Sequence, residues 1–310
     1  MGNRAPLTFN TVKHSHREKR LKKQRIQRLL ILSMAAILAL LVVCGIVFAV
    51  CAIVAAVTED DSPIGSIQYQ ETTKFSTDIE AGPLSIINAS YGIEKLPTEL
   101  ATMTAPKIDG TPIYRCSASM LIQPAAQAAF DAMMTEYFNI YGADETVSVT
   151  TVFRSLKDQE GKSMPAGHSD HHSGYLLALN IAASANPEHW IFKNCHKYGF
   201  VLRYPTDKRA QTGVAEDYTE AIRYVGVAHA TYMKENNLCL EEYAQQLQAS
   251  SVDKQVQING ADGKLYSAYY VPAVASQLTQ IKVPANYAYE ISGDNIAGFV
   301  VTVKLSEPVA

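Results

Sequence analysis

The chain has 310 residues, 47% of them apolar, with only five cysteines, which excludes both a disordered polymer and a disulfide-stapled mini-protein. Its net charge of −3 is unevenly spread: residues 1–28 hold nine Lys or Arg against the single acid Glu18, and the rest hold 18 basic against 29 acidic residues. An acidic bulk gives no reason to expect a polyanionic partner, and nucleic acid is excluded as a target.

The basic arm, 1–28, leads into "LLILSMAAILALLVVCGIVFAVCAIVAAV", Leu29–Val57, 29 residues without a charge. As a helix it would extend roughly 43 Å, enough to cross a bilayer core with some tilt. It is also about twice as long as the apolar region of a cleaved signal, so it is expected to stay as a transmembrane anchor. The Lys/Arg bias ahead of it predicts a cytoplasmic N-terminus, everything after Val57 outside, and a cell-membrane, single-pass location. Neither Cys44 nor Cys51 follows the small residue that lipoprotein processing needs.

Residues 58–81 are polar, with Pro, Gly and Ser and no sustained period, and are expected to form a juxtamembrane linker. In "AAQAAFDAMMTEYFNIYG", Phe130, Met133, Met134 and Tyr137 recur at i, i+3, i+4 and i+7, and Gly142 supplies a stop. That stripe predicts a core-facing helix. "ETVSVTTVFRS" alternates like a strand and delivers Arg154 at its end, while "CLEEYAQQL" places Leu240, Tyr243 and Leu247 on one helical face. From 251 to 310, alternating runs separated by Gly, Asn and Asp turns predict β-hairpins in a small C-terminal appendage. Outside the span, Cys116, Cys195 and Cys239 are an odd set, so no complete disulfide framework exists and the three read as small buried side chains, one bridge remaining open.

The stretch "GHSDHHSGYLLALNI", Gly167–Ile181, gathers three histidines and an acid. A catalytic zinc needs three ligands drawn from His, Asp, Glu or Cys and keeps a fourth position for the water it activates. One such cluster does not supply that set, and by itself it reads equally as a solvated turn. His168 and His172 are read as solvated flanks, and His189, His196 and His229 as packed or exposed side chains without a role.

Taken together, "VFRSLKDQ", "GHSDHHSGYLLALNI", "KNCHKYGFVLRYPTDK" and "RYVGVAHATYMKENNLCLEEY" resemble the successive motifs of the VanY-type D-alanyl-D-alanine carboxypeptidases, over about Gly82 to Leu247. The resemblance implies an α+β domain at 82–250 with a small antiparallel sheet flanked by helices. It also implies zinc as the cofactor of an active member, and a peptidoglycan stem peptide ending in D-Ala-D-Ala as partner.

The family's first metal motif is S-x-H-x-x-G-x-A-x-D, and Ser169, His171 and Gly174 match it while the Asp position falls on Ala178. A two-residue insertion would instead bring Asn180 to that position, a poorer ligand than a carboxylate. The second motif, E-x-x-H before the Arg of "RYVG", falls on Tyr218 and Ala221. Counting forward from Gly213 with one insertion makes Asp217 the base and Glu220 a ligand. On the substrate side, Arg154 and Gln159 match the region whose Arg binds peptide and steadies the oxyanion, and Ser169 lies two residues before the first ligand. These matches imply a degenerate, membrane-anchored member that binds stem peptide or a partner. The alternatives are an active peptidase with His171, Glu220 and Asn180 as ligands and Asp217 as base, or a cell-surface scaffold.

Overall fold

The structure, a computed structural model, describes residues 66–309 apart from 145–146, 182–188 and 215–219. The basic arm, the apolar run, Asp217 and Tyr218 lie outside the described residues. Among the described residues no helix is long and apolar enough to cross a membrane.

The chain enters through strand β1 (Tyr69–Phe75) and then makes three short extended pieces before β5: β2 (Ala101–Thr102), β3 (Lys107–Ile108) and β4 (Thr111–Pro112). β5 (Leu121–Ile122) leads into helix α1, Pro124–Tyr141. Proline at its first turn loses no hydrogen bond there, and Gly142, at φ 73°, ends it in a conformation that suits glycine. The expected stripe is the buried one: Phe130, Met133, Met134 and Tyr137 are among its buried residues. Phe130 packs edge-on against Tyr114, ring centroids 4.9 Å apart.

Helix α1 covers one face of an antiparallel sheet of order β6-β7-β9-β8, built from β6 (Ser148–Thr151), β7 (Leu176–Asn180), β8 (Phe200–Leu202) and β9 (Ala221–Tyr224). Leu177, Leu179, Phe200 and Ile222 point from this sheet into the core shared with α1. The alternate residues of β7 and β9 therefore face the other way, and that second face carries the site.

Short helices α2 (Leu156–Gln159), α3 (Trp190–Asn194) and α4 (Arg209–Thr212) lie in the connections, followed by α5 (Val227–Glu235) and α6 (Leu240–Gln248). The predicted Leu240, Tyr243 and Leu247 are all buried. The last part adds β10 (Val256–Asn259), β11 (Leu265–Pro272), β12 (Leu278–Pro284), β13 (Tyr287–Gly293) and β14 (Gly298–Pro308). Four of these form a sheet of order β10-β11-β14-β13, and β12 pairs with β1. Tyr266, Ala268, Tyr270 and Val300 of this sheet share one buried cluster with Ala230, Met233, Tyr243 and Leu247 of the helices.

Two expectations change here. The stretch read as linker contains β1 and the single-turn helix Ser76–Glu80. Six of the seven β1 residues are exposed, so its sequence has no reason to alternate, and its pairing partner stands far along the chain. The three cysteines are unbridged, and Cys116 is only partly buried.

Candidate functional site

The site begins where β6 ends. Ser155 caps α2 by accepting a hydrogen bond from the Asp158 N–H, while the Asp158 carboxylate accepts one from the Ser155 N–H, a reciprocal pair that sets the start of the helix. One turn on stands Gln159, which is buried; its amide nitrogen donates to the Met164 carbonyl at 2.8 Å, leaving its oxygen to accept from Arg154 Nη1 at 3.2 Å. A short helical connection thus aims the guanidinium expected from sequence.

Opposite this arm, Asp170–Ser173 forms one tight turn closed by Gly174 at φ 70°. His171 donates from Nδ1 to the Val152 carbonyl at 2.6 Å, because a carbonyl can only accept. Its Nε2 is therefore the lone-pair nitrogen. Burial, followed by the charge of Arg154, lowers its pKa to about 4, so it is neutral at physiological pH. His172 is not a solvated flank. It is fully buried, donating from Nδ1 to the Arg154 carbonyl at 2.7 Å and accepting from the Gly167 N–H at 3.0 Å. This imidazole clamps the turn to the Arg154 segment.

Arg154, Gln159, Ser169 and His171 line one cavity of about 360 Å³, whose other walls include Lys162, Tyr204, Leu176, Ala178 and Ala221. The strand register places Ala178 directly opposite Ala221. That pairing removes the need for an insertion after Gly174: Ala178, not Asn180, stands beside His171. Asn180 is the next residue on that face, but it is exposed at the strand end opposite Ser148 and does not line the cavity. Glu220, one residue before β9, gives its carbonyl to the Leu179 N–H and does not line the cavity either.

Zinc can be tested against this donor set. The described cavity wall offers one imidazole nitrogen and, where two further ligands would stand, two methyl groups. Among the described residues no three His, Cys, Asp or Glu side chains gather closely enough to hold a metal ion. A hydroxyl, an amide and a guanidinium do not replace them, so these residues do not fit a zinc site.

Below the turn lies a feature that sequence reasoning missed. Asp170 is 2% exposed, and its carboxylate meets Arg203 Nε at 2.7 Å and Arg223 Nε at 3.2 Å, the second an ion pair without hydrogen-bond geometry. Arg203 also makes a forked contact to Glu241 at 2.8 and 3.0 Å. Arg223 donates to the Ser85 carbonyl at 3.0 Å and lies 5.0 Å from the Tyr175 ring centre. Two guanidiniums and two carboxylates balance, as buried charges must. A signal was present in "FVLRY" and "AIRYV", where an arginine inside an apolar strand requires a buried acid.

With the geometry in place, the chain can be set beside known proteins. Residues 139–227 match the family model of VanY, D-alanyl-D-alanine carboxypeptidase. Over this stretch the chain resembles the VanY family. A D-alanyl-D-alanine carboxypeptidase of Enterococcus faecium is 43% identical over 147 residues, 46% of each chain. One of Enterococcus faecalis is 38% identical over 81 residues, covering 25% of this chain and 30% of that one. The chain thus spans less than half the length of these relatives. The vancomycin-resistance D,D-dipeptidase VanXYg, solved in complex with a D-Ala-D-Ala phosphinate analogue, aligns at TM-score 0.62 and 26% identity, covering 76% of this chain and 99% of that one. The expected α+β class is the one found, and the likeness to VanXYg extends over 76% of this chain.

Proposed function

We propose that this chain is a membrane-anchored, outward-facing VanY-type domain that grips a peptidoglycan stem peptide ending in D-Ala-D-Ala without hydrolysing it. One observation carries the reading. Ala178 and Ala221 face each other beside His171, while Arg154, Gln159 and Ser169 stay gathered on the same cavity. What would hold and use a metal is missing from the described wall, and what would hold a peptide is kept. The guanidinium, with Lys162 at the rim, suits a carboxylate terminus. The lone pair on His171 Nε2 suits a donor such as a peptide N–H. The anchoring half of the proposal rests on the uncharged run Leu29–Val57 behind a basic arm.

The deciding experiment is metal analysis of the full chain, dialysed after purification in detergent, together with calorimetric titration of a D-Ala-D-Ala peptide and assay for released D-Ala. The expected result is binding, little zinc and no release. About one zinc per chain, lost in His171→Ala and Glu220→Ala, with D-Ala release, would replace this reading by a peptidase using Glu220 and Asp217. Absence of any peptide binding would leave the scaffold reading. A companion variant carrying Ala178→Asp, Tyr218→Glu and Ala221→His should gain zinc and slow release, since it returns ligands and a base. Protease added to intact cells should digest the C-terminal part and leave a small anchored fragment, whereas a trimmed soluble protein in the medium would show the apolar run to be a cleaved signal.

A further inference from the structure

We infer that β1 is a self-association edge, on which a second copy of this chain adds its own β1 antiparallel to form a four-stranded sheet of order β12-β1-β1-β12. The inference stands independently of the ligand reading above. β1 pairs with β12 on one side, and among the described residues no strand lies on its other side. The backbone bonds Ala285 N–H to Gln68 carbonyl and Ser76 N–H to Gln277 carbonyl fix which residues face β12: the even-numbered ones. The N–H and C=O groups of Tyr69, Glu71 and Thr73 point outward, and no hydrogen bond to them is made by any described residue. Three consecutive outward pairs are a ready template for another strand.

The strand itself asks for a partner. Six of its seven residues are exposed, so both faces lie largely open and little beyond the ladder to β12 holds it. Exposed edges are usually short, bulged, or guarded by proline or charge; β1 carries Glu71 and Lys74 but runs seven residues in continuous register with β12, without a bulge or a proline.

The sequence of β1 is also self-complementary about its central residue. With a two-fold axis at Thr72, Glu71 of one copy lies opposite Thr73 of the other, and Tyr69 lies opposite Phe75. Those two aromatics are 40% and 44% exposed, and Leu278, paired with Phe75 within the chain, is 59% exposed. The axis therefore joins the exposed apolar residues at both ends of the ribbon, as an isologous interface requires. An axis at Glu71 would set two carboxylates opposite each other, and one at Lys74 two ammonium groups; both are disfavoured.

Cysteine cross-linking of the full chain in membranes, under mild oxidation, tests this. In the inferred register Thr72 lies opposite itself at a non-hydrogen-bonded position, with Cα atoms about 4.5 Å apart, within disulfide reach. At Lys74 the two Cα atoms are about 14 Å apart. Thr72→Cys should give a disulfide-linked dimer well above the parent chain, which carries the same five native cysteines, while Lys74→Cys should not. Adding Thr73→Pro removes an outward N–H that bonds no described residue, and should cut the linked fraction about tenfold. The inference is overturned if Thr72→Cys links no better than the parent, if Lys74→Cys links equally, or if Thr73→Pro leaves the yield unchanged.

Discussion

The Asp170–Ser173 turn and its flanks separate two regions of opposite character, although their residues alternate in sequence. Beneath the turn, Asp170 enters a cluster in which each buried charge meets an opposite one and Arg223 Nη2 reaches the Ser85 carbonyl, while Arg223 Nη1 bonds no described residue. Above it, His171 and Ser169 face a cavity together with Arg154 and Gln159. The first arrangement is closed, and its physical product is a fixed backbone. The second holds polar atoms at a cavity wall, and under the proposed function its product is affinity for a peptide. Chemical type alone does not distinguish the two, since both use arginine, acid or imidazole. Partner count does.

The buried cluster should be the more sensitive of the two to mutation. Asp170→Ala leaves Arg203 and Arg223 buried without their shared carboxylate, and should destabilise the chain by about 3–5 kcal/mol in denaturant unfolding. A loss below 1 kcal/mol would mean that the cluster is open to water. On the cavity side, Arg154→Ala should weaken peptide binding by about 1.5–3 kcal/mol in calorimetry, with a much smaller change in unfolding free energy. Equal losses in both measurements would make Arg154 a structural residue and erase the distinction.

Acid sharpens the contrast further. His229 bonds Tyr243 and Thr302 through its two nitrogens, and burial lowers its pKa to about 4 from an ordinary 6.5. The unfolded chain takes up this proton first, so the stability contributed by neutral His229 is complete above pH 6.5 and is lost as pH falls toward 4. Between pH 7.5 and 5 that amounts to about 2 kcal/mol, and His229→Gln should flatten this part of the stability profile. Ser169→Ala is the mildest change: about 1 kcal/mol of peptide affinity, with unfolding unaltered.

Much of this was legible in the chain. The spacing of Phe130, Met133, Met134 and Tyr137 was enough for α1, because one buried face leaves a periodic trace. The β-branched run before Arg154 and the alternating runs after residue 251 gave strands for the same reason. Motif order gathered Arg154, Gln159, Ser169 and His171 at one cavity. What stayed hidden depended on residues far apart in sequence. Whether Ala178 or Asn180 stands beside His171 is decided by the register of β7 on β9, which no local pattern encodes. Asp170 and His172 resembled a solvated turn because their partners, Arg203, Arg223 and the Gly167 N–H, come from other segments. β1 leaves no periodic trace because neither of its faces is buried.

The pairing of β1 with β12 also sets an order of events in time. The segment from Tyr69 to Ile86 is held by residues 277–295: the Leu84 N–H bonds Ser292 across 208 residues, the Ile86 N–H bonds the Asp294 carbonyl, and all of β1 waits for β12. A ribosome must therefore pass Leu278–Pro284 before β1 has its partner strand. Contacts of that span are slow to close, and refolding should show a late phase in which the N-terminal segment docks after the central sheet has formed. During that interval an unpaired β1 is exposed on both edges, and crowded chains would meet one another there before each has met its own β12.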